Sequence, residues 1–243
     1  MSRSETVQRL LDQIEQLYVH PRNQENLRKW VACTGHAHDN KWRGVPGPVD
    51  IQAGQIPIVV NLESSLKSLI FGFSVEDYFH DPEVYLENYL KHMAHRFTEI
   101  QDDVPVLLEI PVFRSSVFEA ALFGREIASM DDYDTMLTDT PLISDLAGID
   151  SLPFPDFNQG EAMAYAKQLH EYICEQVQGR EFVVTFLEWL RNPSGIAEWL
   201  YGEQEFVTAM TEDPQGAHRL MKYTTESRIS WTRQRAAYLG EDG

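Results

Sequence analysis

The amino-acid sequence predicts an α/β fold in which buried parallel strands alternate with amphipathic helices. Three short runs carry the strand signal because they are continuously apolar and rich in β-branched residues: residues 56–62, 104–110 and 182–186. Longer segments with apolar residues at three- and four-residue spacing separate these runs. That alternation is typical of helices packed on the faces of a parallel sheet.

The helices are predicted in chain order from apolar periodicity and from capping residues. Residues 33–55 are rich in Gly and Pro, and residues 130–158 are acidic with scattered Pro, so both are expected to form loops and short turns. The periodic segments predict helices over residues 4–18, 23–31, 64–73, 82–100, 161–178, 192–199, 203–210 and 214–238.

Composition limits the classes of function that the chain can have. Its 243 residues include 38 Asp and Glu against 20 Lys and Arg, which gives a formal net charge of −18. Nucleic acids and anionic membrane surfaces need basic patches, so both are disfavoured as partners. We expect no signal peptide, because the opening stretch is polar, and no apolar run approaches the roughly 18 residues of a membrane helix. A cytoplasmic, reducing location is expected.

The order of seven sequence segments along the chain can be compared with the order of segments in known protein families. The segments are IPIVVNLE, DPEVYLENYLKHMAHRF, QDDVPVLLEI, FEAALFGREIASMDDYDTMLTDTPLI, LAGIDSLPFPDF, EFVVTFLEW and GEQEFVTAMTEDPQGAHRLMKYTTESRISWTRQRAAYLG. From about residue 50 to the end, this order resembles the uroporphyrinogen decarboxylase-like superfamily. That group includes the decarboxylase and the methyltransferases that feed methyl groups to corrinoid proteins.

The resemblance implies a (β/α)8 barrel, but this chain shows three strands where a closed barrel needs eight. Residues 1–50 are interpreted as a helical extension with a loop, and residues 51–243 as the N-terminal half of the barrel. A half barrel leaves strand edges and an apolar inner face uncovered, which isolated proteins avoid. We therefore expect a second chain that completes the barrel, or a homodimer.

The resemblance also implies the function of a subunit that transfers a methyl group from a small methylated substrate to a corrinoid protein. Zinc and the corrinoid would come through partner chains, since the family's zinc ligands lie in the missing half. The decarboxylase's arginine-rich substrate motif is replaced here by CTGHAHDNKWRGVPG. Two alternatives remain: a decarboxylase of a small organic acid that needs no cofactor, and a non-catalytic subunit that stabilises a catalytic partner.

Three glutamates are the main catalytic candidates, because each comes at the end of a predicted strand: Glu63, Glu109 and Glu188. A barrel places its catalytic groups at the carboxyl ends of its strands, where carboxylates can bind a cation or transfer protons. The alternative is that strand ends are polar in any case. Asn61 and Arg114 are expected to bind substrate, and the alternative for Arg114 is an ion pair with a neighbouring acid.

Two further groups of residues are candidates with a simpler alternative beside each. Asp102 and Asp103 could act as an acid–base pair, with Asp103 as the catalytic member, or could belong to a solvated loop before the second strand. Cys33, His36 and His38 have the ligand types and spacing for a metal such as zinc, or could belong to a polar loop. The histidines of the long helix, His92 among them, are expected at the surface.

Overall fold

The structure is a computed structural model, and it describes residues 3–34, 56–113, 117–130, 133–137 and 140–241. Helices make up most of these residues. Their α-helical bounds are α1 Arg3–Tyr18, α2 Pro21–Thr34, α3 Ser64–Phe71, α4 Val75–His80, α5 Pro82–His95, α6 Phe118–Leu122, α7 Glu161–Gln176, α8 Pro193–Tyr201, α9 Glu203–Glu212 and α10 Pro214–Leu239. The helices that periodicity predicts therefore form, and a π-helical turn, Arg96–Ile100, continues α5.

The strands are short and form two separate sheets in the described residues. Their bounds are β1 Glu109–Pro111, β2 Ile127–Met130, β3 Tyr133–Leu137 and β4 Val183–Thr185. β1 pairs with β4 in parallel, and β2 pairs with β3 as an antiparallel hairpin. The expected α/β character with a parallel strand pair is confirmed, whereas the described residues do not form a barrel.

Three helices begin at an Asp or Asn followed by Pro, and this local chemistry explains their sharp starts. The cap side chain accepts from a backbone amide of the first turn, and the proline has φ preset for the first helical position. Asp81 accepts from Glu83 N at 2.8 Å, Asn192 from Gly195 N at 2.7 Å, and Asp213 from Gly216 N at 2.9 Å. These caps begin α5, α8 and α10.

The prediction of a buried strand over residues 56–62 is wrong. In the described chain this segment forms no strand, and Ile56 and Ile58 are 61% and 66% exposed. Its backbone is held instead by carboxylates, since Ile58 N donates to Asp103 Oδ2 at 2.7 Å and Val60 N donates to Asp102 Oδ2 at 2.9 Å. An apolar, β-branched composition favours a strand only where a neighbouring strand is available to pair with it.

The second predicted strand, residues 104–110, forms only at its end. Val104 and Val106 are buried as predicted, but strand geometry begins at Glu109. The backbone of Val106 forms hydrogen bonds with the fully buried carboxamide of Asn23 and not with a neighbouring strand. Its Oδ1 accepts from Val106 N at 2.7 Å and its Nδ2 donates to Val106 O at 2.9 Å.

The chain divides into two compact units, each with its own core. Unit 1 comprises the described parts of Met1–Pro111 and His170–Thr185, and unit 2 those of Val112–Leu169 and Phe186–Gly243. In unit 1, α1 packs against α5, and the parallel pair of β1 and β4 lies here. In unit 2, α10 packs against α8 and α9. No helix in the described residues has the length and apolar character needed to cross a membrane.

Candidate functional site

The parallel pair of strands in unit 1 indicates where functional side chains are to be sought. Val183 N donates to Leu108 O at 2.8 Å, and the register places Pro111 opposite Thr185. Both strands therefore end at the same edge of the sheet. In α/β folds the chemistry is carried by segments that follow such carboxyl ends. Residues 186–191, which follow β4 in the chain and belong to unit 2, are the best described segment of this kind.

Arg235 on α10 holds the carbonyl groups at the start of segment 186–191. Its side chain is 9% exposed, its Nε donates to Leu187 O at 2.7 Å, and its Nη2 donates to Phe186 O at 3.4 Å. Its Nη1 also donates to Glu241 Oε2 at 3.2 Å. A guanidinium has five donors in a planar fork, which suits it to fix several acceptors at once.

Glu119 on α6 holds the amide groups at the end of the same segment. It is 1% exposed, and its Oε1 accepts from Leu190 N at 2.8 Å and from Arg191 N at 3.1 Å. Hydrogen bonds to a charged acceptor are stronger than neutral ones, and burial makes them costly to break. Arg235 and Glu119 together therefore restrain segment 186–191 at both ends.

An aromatic cluster packs beneath the restrained segment and makes it more rigid. Trp189 is 4% exposed, and its ring centroid lies 5.8 Å from those of Phe123 and Trp231. Other rings of unit 2 continue the cluster through Phe157, Phe186 and Tyr238. Large aromatic contacts of this kind bury much apolar area and fix side-chain positions.

The restrained segment carries Glu188 at its surface. The Glu188 side chain is 35% exposed, and its Oε1 lies 3.7 Å from Arg235 Nη2. Its neighbour Leu190 is 65% exposed although Trp189 between them is buried. A partly exposed carboxylate on a rigid segment can bind a cationic group or move a proton. The position that the sequence predicts for Glu188, after a strand, is confirmed, and a catalytic role for it stays a prediction.

Glu63 and Glu109 do not lie at strand ends, so the predicted equivalence of the three glutamates is wrong. Glu63 is exposed and immediately precedes α3, after a segment that is not a strand. Glu109 is the first residue of β1, not the last, because the strand starts later than its apolar run suggests. Roles for these two side chains in a site stay predictions.

Asp102 joins three parts of unit 1 through a carboxylate that is 2% exposed. Arg96 Nε donates to Oδ1 at 3.1 Å and to Oδ2 at 2.9 Å. The amides of Val60 and Val104 donate to Oδ2 at 2.9 Å and to Oδ1 at 3.3 Å. This carboxylate links the turn after α5 to the segment that precedes α3.

Asp103, the predicted catalytic acid, has its carboxylate engaged by a lysine and a backbone amide. Its Oδ2 accepts from Lys29 Nζ at 2.7 Å and from Ile58 N at 2.7 Å. Burial alone would raise the pKa of Asp103, but these hydrogen bonds and the lysine charge lower it below its ordinary value. A depressed pKa suits a structural ion pair better than a group that must carry a proton near neutral pH.

Several predicted site residues lie outside the described part of the chain. These are Arg114, His36 and His38, and the side chain of Cys33, whose backbone lies in the last turn of α2. Asn61 is described and is exposed. Within the described ranges, no three His, Cys, Asp or Glu side chains come together in a way that could hold a metal ion.

Sequence reasoning missed a polar face on α5, where His92 is not the surface residue that was expected. Asn88, His92 and Arg96 follow one another at four-residue intervals, so they lie on one face of the helix. Burial, then the charges of Lys67 and Arg96 and the neighbouring His95, lower the pKa of His92 to about 3, against a smaller opposing effect of Asp102. The four-residue spacing of polar residues was the available signal.

Comparison with known proteins gives one informative result. No family model matches the chain, and no curated protein matches it. Among solved structures it is similar to a methyltransferase from Methanosarcina mazei, with a TM-score of 0.53 and 16% sequence identity. The match covers 85% of this chain and 54% of that chain, so this chain spans about half the length of the solved structure that it matches. At this identity the likeness shows the fold: the chain has a methyltransferase-like fold.

Proposed function

We propose that this chain is a subunit of a methyltransferase that moves a methyl group from a small methylated substrate to a corrinoid protein. The observation that carries the proposal is the fold similarity to a methyltransferase over 85% of this chain. The order of sequence segments, which resembles the uroporphyrinogen decarboxylase-like superfamily, supports the same reading independently of the structure. Fold alone does not determine function, so the proposal needs a chemical test.

Glu188 is the side chain that we assign to the substrate site in this proposal. It follows a strand of the parallel pair, and Arg235 and Glu119 restrain its segment from both ends. A carboxylate held in this way would orient a small substrate that carries a positive charge, such as a methylated amine, by ion pairing. A rigid support of this kind lets a site hold its geometry without reorganising during the reaction.

Zinc and a corrinoid remain part of the proposal only through a partner chain. In the ranges that the structure describes, no cluster of metal-ligating side chains is present, so no step is assigned to a metal held by these residues. A partner is also supported by the exposed apolar side chains of unit 1, which include Ile58 and Leu69 at 66% and 81% exposure. The partner would be a second chain that completes a barrel, or another copy of this chain.

The test is a methyl-transfer assay on the full chain, alone and with candidate partner subunits. Cob(I)alamin is supplied as acceptor with methylated amines, methanol or methylated thiols as donors, and formation of methylcob(III)alamin is followed by absorbance. We expect transfer from one donor class, and a loss of about tenfold or more for Glu188→Gln from one lost charge interaction. Glu212→Gln, at an exposed acid that ends α9, is the matched control and should retain activity.

Two outcomes would contradict the proposed activity, and a third would contradict only the role of Glu188. Release of carbon dioxide from small organic acids without cobalamin would identify the chain as a decarboxylase. If a partner subunit were fully active without this chain, and this chain made that partner more stable, then this chain would have a non-catalytic role. Unchanged activity of Glu188→Gln would remove Glu188 from the site while the methyltransferase assignment stood.

A further inference from the structure

Segment 56–62 is held to unit 1 along one edge of its backbone. Ile58 N donates to Asp103 Oδ2 at 2.7 Å, and Ile58 O accepts from Asp103 N at 2.9 Å. Val60 N donates to Asp102 Oδ2 at 2.9 Å. In extended backbone the amide and the carbonyl of one residue point to the same edge, and every second residue shares that edge. The occupied edge therefore belongs to Ile58 and Val60, and the residues between and beside them present the opposite edge.

The opposite edge of the segment is open. Val59 and Asn61 each present an amide and a carbonyl there, and Pro57 presents a carbonyl alone because proline has no N–H. Among the described residues, none of these backbone groups has a hydrogen-bond partner. An unpaired strand edge of this kind is a template on which another extended chain can pair.

The side chains of the segment are apolar on both of its faces, and most of them are exposed. Ile56 and Ile58 are 61% and 66% exposed, and Val59 and Val60 are 51% and 40% exposed. β-branched residues favour a strand when a neighbouring strand supplies cross-strand contacts. The segment thus has the composition and the open edge of a strand, and it lacks only the neighbour.

A second copy of the same segment fits this edge under a twofold axis that passes beside Val59. In antiparallel pairing, each residue lies opposite the one at the same distance on the other side of the axis. Ile58 then faces the partner's Val60, and Ile56 faces the partner's Leu62, so these cross-strand pairs are apolar. On the other face Val59 meets the partner's Val59. The segment is therefore complementary to itself.

Local charge does not oppose this pairing, although the chain carries a formal net charge of −18. Residues 56–62 contain no charged side chain. On the occupied edge, Arg96 Nη2 lies 2.8 Å from Asp102 Oδ2. Lys29 Nζ likewise lies 2.7 Å from Asp103 Oδ2. Two copies can therefore approach at this segment without bringing unpaired charges of the same sign together.

We propose that two copies of this chain associate by pairing their 56–62 segments as antiparallel strands. Val59 of each copy donates its amide hydrogen to the Val59 carbonyl of the other, and each Asn61 amide donates to the Pro57 carbonyl across the pair. Pro57 lies at the end of the pair, where strands tolerate proline. The exposed apolar side chains gain apolar neighbours. This interface lies in unit 1, and it does not depend on the proposed methyl transfer.

Hydrogen exchange of the full chain at increasing concentration tests the interface, with sedimentation velocity at the same concentrations. We expect a monomer–dimer equilibrium in which the amides of Val59 and Asn61 exchange more slowly as the dimer accumulates. The amides of Ile58 and Val60 already donate to carboxylates, so their exchange should change little.

Three results of these two measurements would overturn the proposal. The first is a chain that stays monomeric at every concentration. The second is a dimer in which the amides of Val59 and Asn61 exchange as they do in the monomer. The third is slower exchange of these amides only when a different subunit is added, which would assign the open edge to that subunit.

The variant Val59→Pro removes the amide at the centre of the pair and keeps an apolar side chain. Because Val59 N has no acceptor within the described part of the single chain, the variant should fold with an unchanged circular dichroism spectrum. We expect it to dimerise about tenfold or more weakly, since both copies lose a hydrogen bond.

Val59→Ile is the matched control, because it retains the amide, and it should dimerise as the unaltered chain does. Equal dimerisation of the two variants would overturn the proposal. The exchange experiment uses the unaltered chain, so it decides the question even if Val59→Pro does not fold. No turnover is measured, so failure here is distinguishable from failure of the proposed function.

Discussion

Asp102 and Asp103 are adjacent in the sequence but have different surroundings. The Asp102 carboxylate is almost fully buried and accepts from Arg96 and from two backbone amides. The Asp103 carboxylate is 22% exposed and pairs with Lys29, whose side chain is 25% exposed. Burial decides how much each ion pair contributes to the free energy of unfolding. Solvent screens the charges of an exposed pair, whereas breaking a buried pair leaves an uncompensated charge in the protein.

We expect Asp102→Ala to lower the free energy of unfolding by about 3–5 kcal/mol, because the partly buried Arg96 guanidinium and two amides would lose their acceptor. Asp103→Ala is the matched control, and it should cost about 1 kcal/mol or less because water can reach the partly exposed Lys29 and the exposed Ile58 once the carboxylate is gone. Urea titration followed by circular dichroism measures both. Equal losses for the two variants would contradict the distinction that burial makes.

His92 makes a separate prediction about acid stability. Its ordinary pKa is 6.5 and its pKa in the fold is about 3, so the unfolded chain binds a proton at higher pH than the folded chain does. Between these values acidification favours the unfolded state, by up to about 1.4 kcal/mol per pH unit before partial exposure reduces the effect.

His92→Gln should therefore move the midpoint of acid unfolding to lower pH, because the variant has no imidazole to protonate. The measurement is tryptophan fluorescence as a function of pH at constant ionic strength. His80→Gln, at an exposed histidine of α4, should leave the midpoint unchanged. A midpoint that moves equally in both variants would show that the burial of His92 is not the cause.

At the scale of elements, α5 takes the place of a neighbouring strand at one edge of β1. Tyr85 Oη donates to Pro111 O at 2.6 Å, and Tyr89 Oη approaches Glu109 O at 3.4 Å. Carbonyls two residues apart in a strand point to the same edge, and the Leu108 carbonyl on the other edge accepts from β4. The two hydroxyls therefore cover the edge of β1 that lies opposite β4.

The segment after β4 makes the prediction at this scale. Arg235→Met should lower the free energy of unfolding by about 2–3 kcal/mol, because the carbonyls of Phe186 and Leu187 lose a charged donor. Arg233→Met, at an exposed position of the same helix, is the matched control and should change it little. Hydrogen exchange at residues 186–191 should become faster in the first variant alone. Unchanged exchange there would contradict the restraint that we assign to Arg235.

Elements that depend on local periodicity were predictable from the sequence, and elements that depend on distant partners were not. α7 and α10 appear within two residues of the predicted ends, since the apolar faces of both helices and the Asp213 cap of α10 are local signals. The failed strand over residues 56–62 and the late start of β1 both reflect side chains from elsewhere, Asp102, Asp103 and Asn23, that satisfy the backbone. The burial of His92 likewise depends on its three-dimensional surroundings, not on its own helix alone.

For the whole molecule, the exposed apolar side chains of unit 1 are the feature with the widest consequence. They cluster in sequence between the start of segment 56–62 and the end of α3, and they include Ile56, Ile58, Val59, Val60, Leu66, Leu69 and Ile70. Large contiguous apolar patches on soluble proteins usually mark interaction sites. This segment is where we expect a partner subunit or a second copy to bind.

The double variant Ile58→Asp with Leu69→Asp should therefore abolish association without unfolding the chain, because both side chains are mainly exposed. Sedimentation velocity of the chain, alone and with its partner subunit, measures the assembly. Val207→Asp, at a position of unit 2 that is 56% exposed, is the matched control and should assemble normally. A chain that stays monomeric at high concentration and binds no second subunit would contradict the prediction.

The pairing of β1 with β4 joins residues that are roughly 70 positions apart, and this has a consequence for the order of folding. Unit 1 closes only when residues 170–185 return to it, so it cannot finish on the ribosome until most of the chain has been made. Contacts across long loops form slowly, because closing the loop costs entropy before the contact stabilises anything. We expect local helical pairs such as α4 with α5 to form first, and the two parallel strands to pair in the last and slowest phase.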